Sequence, residues 1–434
     1  MELSIEQEYA IQKFKEGKNI YLSGPAGSGK THIIKHIKEI AEKGKKLIQI
    51  CALTGCAAVL LGCNAKTVHS WSGIGLGNQP LESTINKIRK YLPKLMAWLK
   101  LDILVIDEIS MMSKKLFELL DGIGKAVRRN NLAFGGIQLV FSGDFLQLPP
   151  VGNDEESSMF CFESSSWFEI FQLENHIQLK KIFRQNDIIF KTILNEIRIG
   201  KITKKSREIL AQQIGKDSSL LEIKPTKIFP IKIKVNEINT TELDKLTTEE
   251  FIFKNKYISI KQINEVIQHE LDRIENNILC DKVIKLKVGA QVMCIINMDT
   301  LCNGSQGIIT RFEEGLPVVK YTNGVEMLMN YYIWQSETIS GVGISQLPII
   351  LAWAISIHKS QGATLDFAEI DIGSDIFECG QSYVALSRVK SLEGLYISFF
   401  DPKKIKVNRK VRDFYAKLND ASDLPSLTLR KLII

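Results

Sequence analysis

Asn19-Ile-Tyr-Leu-Ser-Gly24-Pro25-Ala26-Gly27-Ser28-Gly29-Lys30-Thr31 decides how the first third of this chain is read. A short apolar run reads as a strand, the stretch from Thr31 to Glu42 reads as a helix, and between them the residues fit GxxxxGK[ST]. The glycines let backbone N–H groups wrap phosphates, the helix start adds positive potential, Lys30 neutralises β and γ oxygens, and Thr31 offers a hydroxyl to Mg²⁺. The candidate nucleotide-binding set is therefore Gly24, Pro25, Ala26, Gly27, Ser28, Gly29, Lys30 and Thr31.

Outward from that motif, KLIQICA, DILVID and IQLVFSGD are further short apolar runs separated by helical patterns, as in a parallel sheet covered on both faces. From Leu173 a second series, HIQLKKIF, TKIFP, AQVMCII, IILAWAISI, FAEIDI and GLYISFF, reads as a second α/β sheet. The expected division is a first domain over 1–172 and a second over 173–434. Between Gly304 and Leu347 short alternating runs, with a turn signal at Asn323-Gly324, predict a small antiparallel β insertion at about 304–347. The segment Leu243 to Lys287 shows helical spacing around Ile260 to Ile274 and no chemistry. Lys403 to Arg412 holds six basic residues in ten, within a basic tail over about 402–434, equally readable as a solvated helix face or a phosphate contact.

The composition of the 434 residues, 45% apolar, 24% charged and 8% aromatic, is that of a folded globular chain and excludes disordered and collagenous classes. The longest uncharged run, Thr338 to Ile357, is broken by Gly341, Gly343 and Pro348, so no membrane helix and no membrane partner is expected. The opening MELSIEQEYA is acidic and lacks an apolar core, which predicts an intracellular, non-secreted protein. Eight cysteines without a CxxC pair signal neither a zinc site nor a disulfide framework. A net charge of +7 is compatible with a polyanionic partner and decides nothing alone.

Leu104-Val-Ile-Asp107-Glu108 is an apolar run ending in two carboxylates, which can divide labour: Asp107 on the metal shell, Glu108 polarising a water for in-line attack. In Gly143-Asp-Phe-Leu-Gln147-Leu-Pro-Pro150, Gln147 is placed to sense a γ-phosphate. Arg184 in Phe183-Arg-Gln185 and Arg388 in Val384-Ala-Leu-Ser-Arg388 are candidates to stabilise charge on a transferred phosphoryl group, although an isolated arginine is more often a surface ion pair. Trp71 reads equally as a buried anchor or a platform for a stacked base. His69 and His358 by themselves read as ordinary hydrogen-bonded histidines.

Taken in order, LSIEQ, GPAGSGKT, LTGCAA with TVHSW, IDEIS, FGGIQLVFSGDFLQLPPV, FRQ, VGAQVM with NGSQG, SIHKSQGATLD and YVALSRV resemble the Pif-type (petite integration frequency) DNA helicases of superfamily one, from Leu3 to about Phe400. That resemblance implies two tandem RecA-like P-loop domains of α/β class with parallel sheets, the second carrying a small antiparallel β-barrel insertion. It implies ATP and Mg²⁺ as cofactors and 5′-to-3′ movement on single-stranded DNA, with duplex junctions as partners. Duties in replication, repair or recombination follow, for a monomer or a weak DNA-induced oligomer.

By motif position, the resemblance has Gln7 reading adenine, Lys30, Glu108, Gln147, Arg184 and Arg388 in catalysis, and Thr31 and Asp107 on the metal. Gln361 and Gly362 would couple nucleotide to DNA. Thr54, His69, Trp71, Ser356, His358 and Ser360 would contact the strand, and the region after Trp71 would separate strands. Ser356, Trp71 and Cys51 stand where the family usually has Thr, Phe and Thr. A P-loop kinase or ring ATPase, and a nucleic-acid-binding switch with little turnover, are the competing readings. ATP turnover with and without single-stranded DNA separates them.

Overall fold

The computed structural model describes residues 3–75, 77–152, 154–298, 300–336, 339–373 and 375–421, and the side chains of 358 and 419–421 lie outside that description. The chain divides into two compact units: Arg184–Lys406 form one, and Met1–Phe183 form the other together with the chain from Val407 onward.

In the first unit, β1 (Ile20–Ser23), β2 (Ile48–Ala52), β3 (Lys66–Thr67), β4 (Ile103–Asp107), β5 (Gln138–Gly143) and β6 (His176–Gln178) make one sheet in the order β3-β2-β4-β5-β1-β6. Every pairing in it is parallel. The strands show why their runs are continuously apolar. Leu104, Ile106, Leu139, Phe141 and Tyr21 join one core cluster, while Ile103, Val105, Val140, Ile20 and Leu22 join another. Alternate side chains thus feed opposite faces of a sheet covered on both sides.

The second unit holds a smaller parallel sheet of β7 (Thr226–Phe229), β18 (Ala354–Ser356), β19 (Ala368–Ile372) and β20 (Leu395–Phe400), ordered β18-β7-β19-β20. Between β7 and β18 runs an antiparallel β insertion. Its strands are β8 (Phe251–Lys254), β9 (Lys256–Ser259), β10 (Val283–Leu286), β11 (Gln291–Cys294), β12 (Gln306–Glu313), β13 (Leu316–Tyr321), β14 (Glu326–Leu328), β15 (Tyr332–Gln335), β16 (Val342–Gln346) and β17 (Ile349–Leu351). They form sheets ordered β14-β13-β12-β11-β17, β15-β16-β9 and β10-β8. Glu314 and Gly315, both at positive φ, close the hairpin between β12 and β13. The expected turn at Asn323-Gly324 links β13 to β14, and Asn323 Oδ1 accepts the Val325 N–H at 3.1 Å.

The expected boundaries need four corrections. The insertion is wider than 304–347, because β8 to β11 and β17 pair into its sheets; β8 to β10 are short and largely exposed, while β11 and β17 are buried apolar runs that look like strands of a covered parallel sheet. AQVMCII and the start of IILAWAISI belong to this insertion and not to the second parallel sheet. HIQLKKIF belongs to the first sheet: β6 lies beside β1, and the Leu179 N–H donates to the Ser23 carbonyl at 2.8 Å.

The fourth correction concerns the end of the chain. The helix Arg409–Ala421 buries Val411, Phe414, Tyr415 and Leu418 in the first unit's core, so the expected tail is split: its start up to Lys406 stays with the second unit, the stretch from Val407 to Ala421 belongs to the first, and 422–434 lie outside the described residues. Its charges sit on the opposite face, where Lys410 pairs with Glu163 and Arg409 with Asp413. Among the described residues, no helix is long and apolar enough to cross a membrane.

Candidate functional site

The P-loop lies where its mechanics require, between β1 and the helix Lys30–Lys43. The Phe183 N–H donates to the Gly27 carbonyl at 2.8 Å and the Ser28 N–H to the Pro25 carbonyl at 3.2 Å, which closes the loop. The Lys30 ammonium, buried, donates to the carbonyls of Gly24 (2.8 Å) and Pro25 (3.2 Å). Thr31, one residue on, is exposed.

Gln7 proves to be buried against the loop and not solvated on its helix. Ser4 and Gln7 form a capping box, with Gln7 Oε1 accepting the Ser4 N–H at 3.0 Å. That fixes the amide so that Nε2 faces Gly29. A Cβ on Gly29, whose φ is +87°, would lie 2.7 Å from this nitrogen and 3.5 Å from the Phe183 ring. Only glycine fits there.

Asp107 ends β4 one residue beyond the Ile106–Phe141 pair, which sets it beside Ser142. Glu108 follows in the left-handed region, φ 55° and ψ 39°, a conformation that costs a non-glycine residue of order 1 kcal/mol or more and is found where function demands it. Gly143 admits this turn, since a Cβ there would lie 2.8 Å from the Ile109 nitrogen. Gln147 is buried, and its N–H donates to the Asp144 carbonyl at 2.9 Å.

Around these residues Ser23, Ser28, Ser110 and Ser142 bury hydroxyls, and Asp107 buries Oδ1, without a hydrogen-bond partner. Burial pushes the Asp107 carboxyl above the usual carboxylate range. Ser142, near but not in bonding geometry, and the Lys30 ammonium pull it back. A buried carboxylate oxygen without a donor is a group that a hard cation satisfies, and with the exposed Thr31 hydroxyl it fits Mg²⁺, which takes oxygen ligands. Among the described residues there is no cluster of three His, Cys, Asp or Glu side chains able to hold a metal by themselves.

In the second unit, Arg184 and Arg388 are brought together around Ser387. Arg184 Nη1 and Gln185 Nε2 donate to the Ser387 carbonyl at 3.3 and 3.1 Å. Arg388, 2% exposed, donates from Nε to the Val384 carbonyl (2.9 Å) and from Nη2 to Ser387 Oγ (2.8 Å). Neither is a loose surface arginine.

The strand-contact candidates divide. Thr54 is half-exposed and caps the helix Gly55–Leu61 by accepting the Ala57 N–H at 3.2 Å. His69 is half-buried, and burial lowers its pKa, so its imidazole is neutral and offers a hydrogen bond and not a charge. Trp71 is a correction: it is 3% exposed, packed on Trp98 at 4.6 Å between ring centroids, a core anchor and not a stacking platform. Ser360 is a second correction, fully buried with its hydroxyl donated to the Ile357 carbonyl at 2.8 Å. Ser356 is nearly buried and accepts the Lys359 N–H at 3.2 Å. His358 lies on the short helix Ile357–Ser360, its side chain outside the described residues. Gln361 is half-exposed with Nε2 unpartnered, and Gly362 is exposed at φ +82°.

Sequence reasoning missed Ser142, Asp144 and Tyr415. The first two lie inside quoted motifs, in which only Gln147 looked chemical. Tyr415 is 271 residues from its partner Asp144, and no local pattern announces it.

A parallel sheet whose strand ends carry a P-loop, an acidic pair and a buried amide defines a nucleotide-handling α/β protein, and comparison with known proteins narrows the class. Residues 2–208 match the PIF1-like helicase family, and residues 270–312 match the 2B domain of DNA helicase Pif1. The chain is 36% identical over 431 residues to the ATP-dependent DNA helicase PIF1 of Danio rerio, covering 96% of this chain and 64% of that protein. Among solved structures, the Pif1 helicase from Candida albicans is 35% identical with a TM-score of 0.77, covering 96% of this chain and all (100%) of that one. Pif1 from Bacteroides, in complex with ADP-AlF4, is 30% identical with a TM-score of 0.81, covering 97% of this chain and 98% of that one. The same protein bound to single-stranded DNA gives a TM-score of 0.65 at 30% identity and the same coverage, 97% and 98%.

This chain belongs to the PIF1-like helicase family, with two RecA-like units and a β insertion in the second. It spans 64% and 66% of the length of the PIF1 helicases of Danio rerio and Xenopus laevis.

Proposed function

We propose that this chain is an ATP-dependent DNA helicase that moves 5′-to-3′ along single-stranded DNA and opens duplex at junctions, serving replication, repair or recombination. The observation that carries the reading is the carboxyl ends of β1, β4 and β5, neighbouring strands inside the first sheet. There Lys30, the unpartnered Asp107 oxygen, Glu108 and Gln147 converge with buried hydroxyls that await partners. The relatives named as ATP-dependent DNA helicases, and the neighbours solved with ADP-AlF4 and with single-stranded DNA, support it.

In this reading Lys30 neutralises the β- and γ-phosphates, Gln7 with Phe183 borders the base, and Glu108 polarises the attacking water. Gln147 holds a γ-phosphate oxygen. Thr31 and Asp107 would hold Mg²⁺, which supplies charge neutralisation on the phosphates when bound. Arg184 and Arg388 stabilise charge on the transferred group. Gln361 and Gly362 link turnover to the strand, which Thr54, His69, Ser356 and His358 contact. The two units act as the two motor halves, and all these residues lie in one chain, so a monomer suffices for turnover, and any association that DNA induces is weak.

ATP hydrolysis measured with and without single-stranded DNA tests the activity: turnover stimulated by the strand and abolished in Lys30→Ala is expected. DNA-independent turnover would point to another P-loop class. Partial duplexes carrying a 5′ or a 3′ tail test direction, and strand release from only the 3′-tailed substrate would refute the polarity alone.

A further inference from the structure

The helix Arg409–Ala421 places one side chain against the motif that carries Gln147. Tyr415 is buried with its hydroxyl 3.1 Å from the Tyr21 hydroxyl and 3.2 Å from Asp144 Oδ1, and it accepts the Phe145 N–H at 3.3 Å. A phenol has one proton and two lone pairs, and a carboxylate only accepts. Tyr415 therefore donates to Asp144, and its lone pairs take the Phe145 N–H and the Tyr21 O–H, leaving the hydroxyl fully used.

Asp144, 0% exposed, is the hinge of the turn after β5. Its Oδ1 also accepts the Leu146 N–H at 3.2 Å, and its carbonyl accepts the Gln147 N–H at 2.9 Å. Tyr21 lies on β1, three residues ahead of Gly24. The Tyr415 hydroxyl thus holds the turn presenting Gln147 through Asp144 and Phe145, and Tyr21 only supplies it with a donor. The helix that supplies it is anchored independently, by Phe414 stacked on Phe162 at 4.3 Å and by buried Val411 and Leu418.

We propose that Tyr415 is a positioning residue for ATP turnover, holding the Asp144–Gln147 turn so that the Gln147 amide meets the γ-phosphate. The proposal rests on the nucleotide-site reading above and adds the C-terminal helix to the machinery. A side chain that orients a group acting only on the reacting phosphate alters kcat and spares ground-state binding.

Steady-state hydrolysis by the full chain, with saturating single-stranded DNA, is compared for wild type, Tyr415→Phe, Tyr21→Phe and Lys30→Ala. Tyr415→Phe is expected to lower kcat about tenfold with the KM for ATP within about twofold, since misplacing a reacting group by ~1 Å costs up to ~10²-fold. Tyr21→Phe removes only a donor to Tyr415 and should keep the wild-type kcat. Asp144→Ala, which removes the acceptor instead of the donor, carries the same expectation as Tyr415→Phe and serves if that variant does not fold. Wild-type kcat in either folded variant overturns the proposal, as does an equal kcat loss in Tyr21→Phe, which would mean general loosening of the core. Turnover retained by Lys30→Ala would overturn the nucleotide-site reading itself; abolished there but unchanged in Tyr415→Phe, it would overturn the tether alone.

Discussion

Two buried polar clusters in this molecule are built in opposite ways. At the carboxyl ends of β1, β4 and β5, Ser23, Ser28, Asp107, Ser110 and Ser142 hold oxygens that nothing satisfies. Around Ser387, by contrast, Arg184, Gln185 and Arg388 spend their N–H groups on the Ser387 and Val384 carbonyls and the Ser387 hydroxyl. An unsatisfied buried oxygen costs ~1–3 kcal/mol, which a ligand bringing donors or a cation can return. A cluster whose N–H groups are spent inside the protein, here with Gln185 Oε1 left without a partner, is held in one shape before any ligand arrives. The first cluster is a receiver and the second a mount, and substitutions should separate turnover from stability accordingly.

The largest effect belongs to the mount. Arg388→Ala should cut DNA-stimulated turnover by ~10³-fold, the usual worth of an arginine that meets a transferring phosphoryl group. It should also destabilise the second unit by about 3 kcal/mol, because three acceptors, the Val384 and Ser360 carbonyls and the Ser387 hydroxyl, lose its donors. Calorimetry beside the hydrolysis assay checks both. An unchanged melting temperature would break the distinction, and weakened ATP affinity with unchanged turnover would remove the arginine from the transition state.

At the receiver, Glu108→Gln should lower kcat by ~10²-fold or more, as loss of a positioned general base does. Glu108 already sits at positive φ, which glutamine tolerates no worse, so the melting temperature should move by less than about 2 °C. Near-normal turnover would sink its assignment as the base.

How far these clusters were legible follows from the range of their contacts. Lys30, Thr31, Asp107 and Glu108 could be read because each lies within a few residues of the strand end or helix start that gives it meaning. The parallel strands were legible as unbroken apolar runs, but a run does not name its neighbour in the sheet, and so β6 was assigned to the wrong unit. Trp71 gave no sign of its burial, because its partner Trp98 is on a different helix. The convergence of Arg184 with Arg388, and of Tyr415 with Asp144, spans about two hundred residues or more and has no local pattern at all.

The smallest effect sharpens the comparison within the first unit, at His176. Its Nε2 accepts the Trp167 Nε1–H at 3.0 Å, and its Nδ1 lies 2.9 Å from the Gln172 carbonyl, so the ring is neutral with its proton on Nδ1. Burial brings its pKa down from 6.5 to about 4, against the opposing pull of the Gln172 and Leu173 carbonyls and Glu174. Between those two values the unfolded chain binds a proton that the folded one refuses. Stability from this group is therefore complete above pH 6.5 and is lost as the pH falls toward 4. The full shift corresponds to ~3 kcal/mol; for a half-buried ring we expect ~2 kcal/mol, or a fall of several degrees in melting temperature. His176→Gln, which cannot take up the proton, should flatten that part of the wild-type profile between pH 7.5 and 4.5 while leaving ATP turnover at neutral pH unchanged. Parallel profiles for the two proteins would show that the ring protonates freely in the folded state, and that its bond to Trp167 is no more satisfied than the oxygens of the nucleotide site.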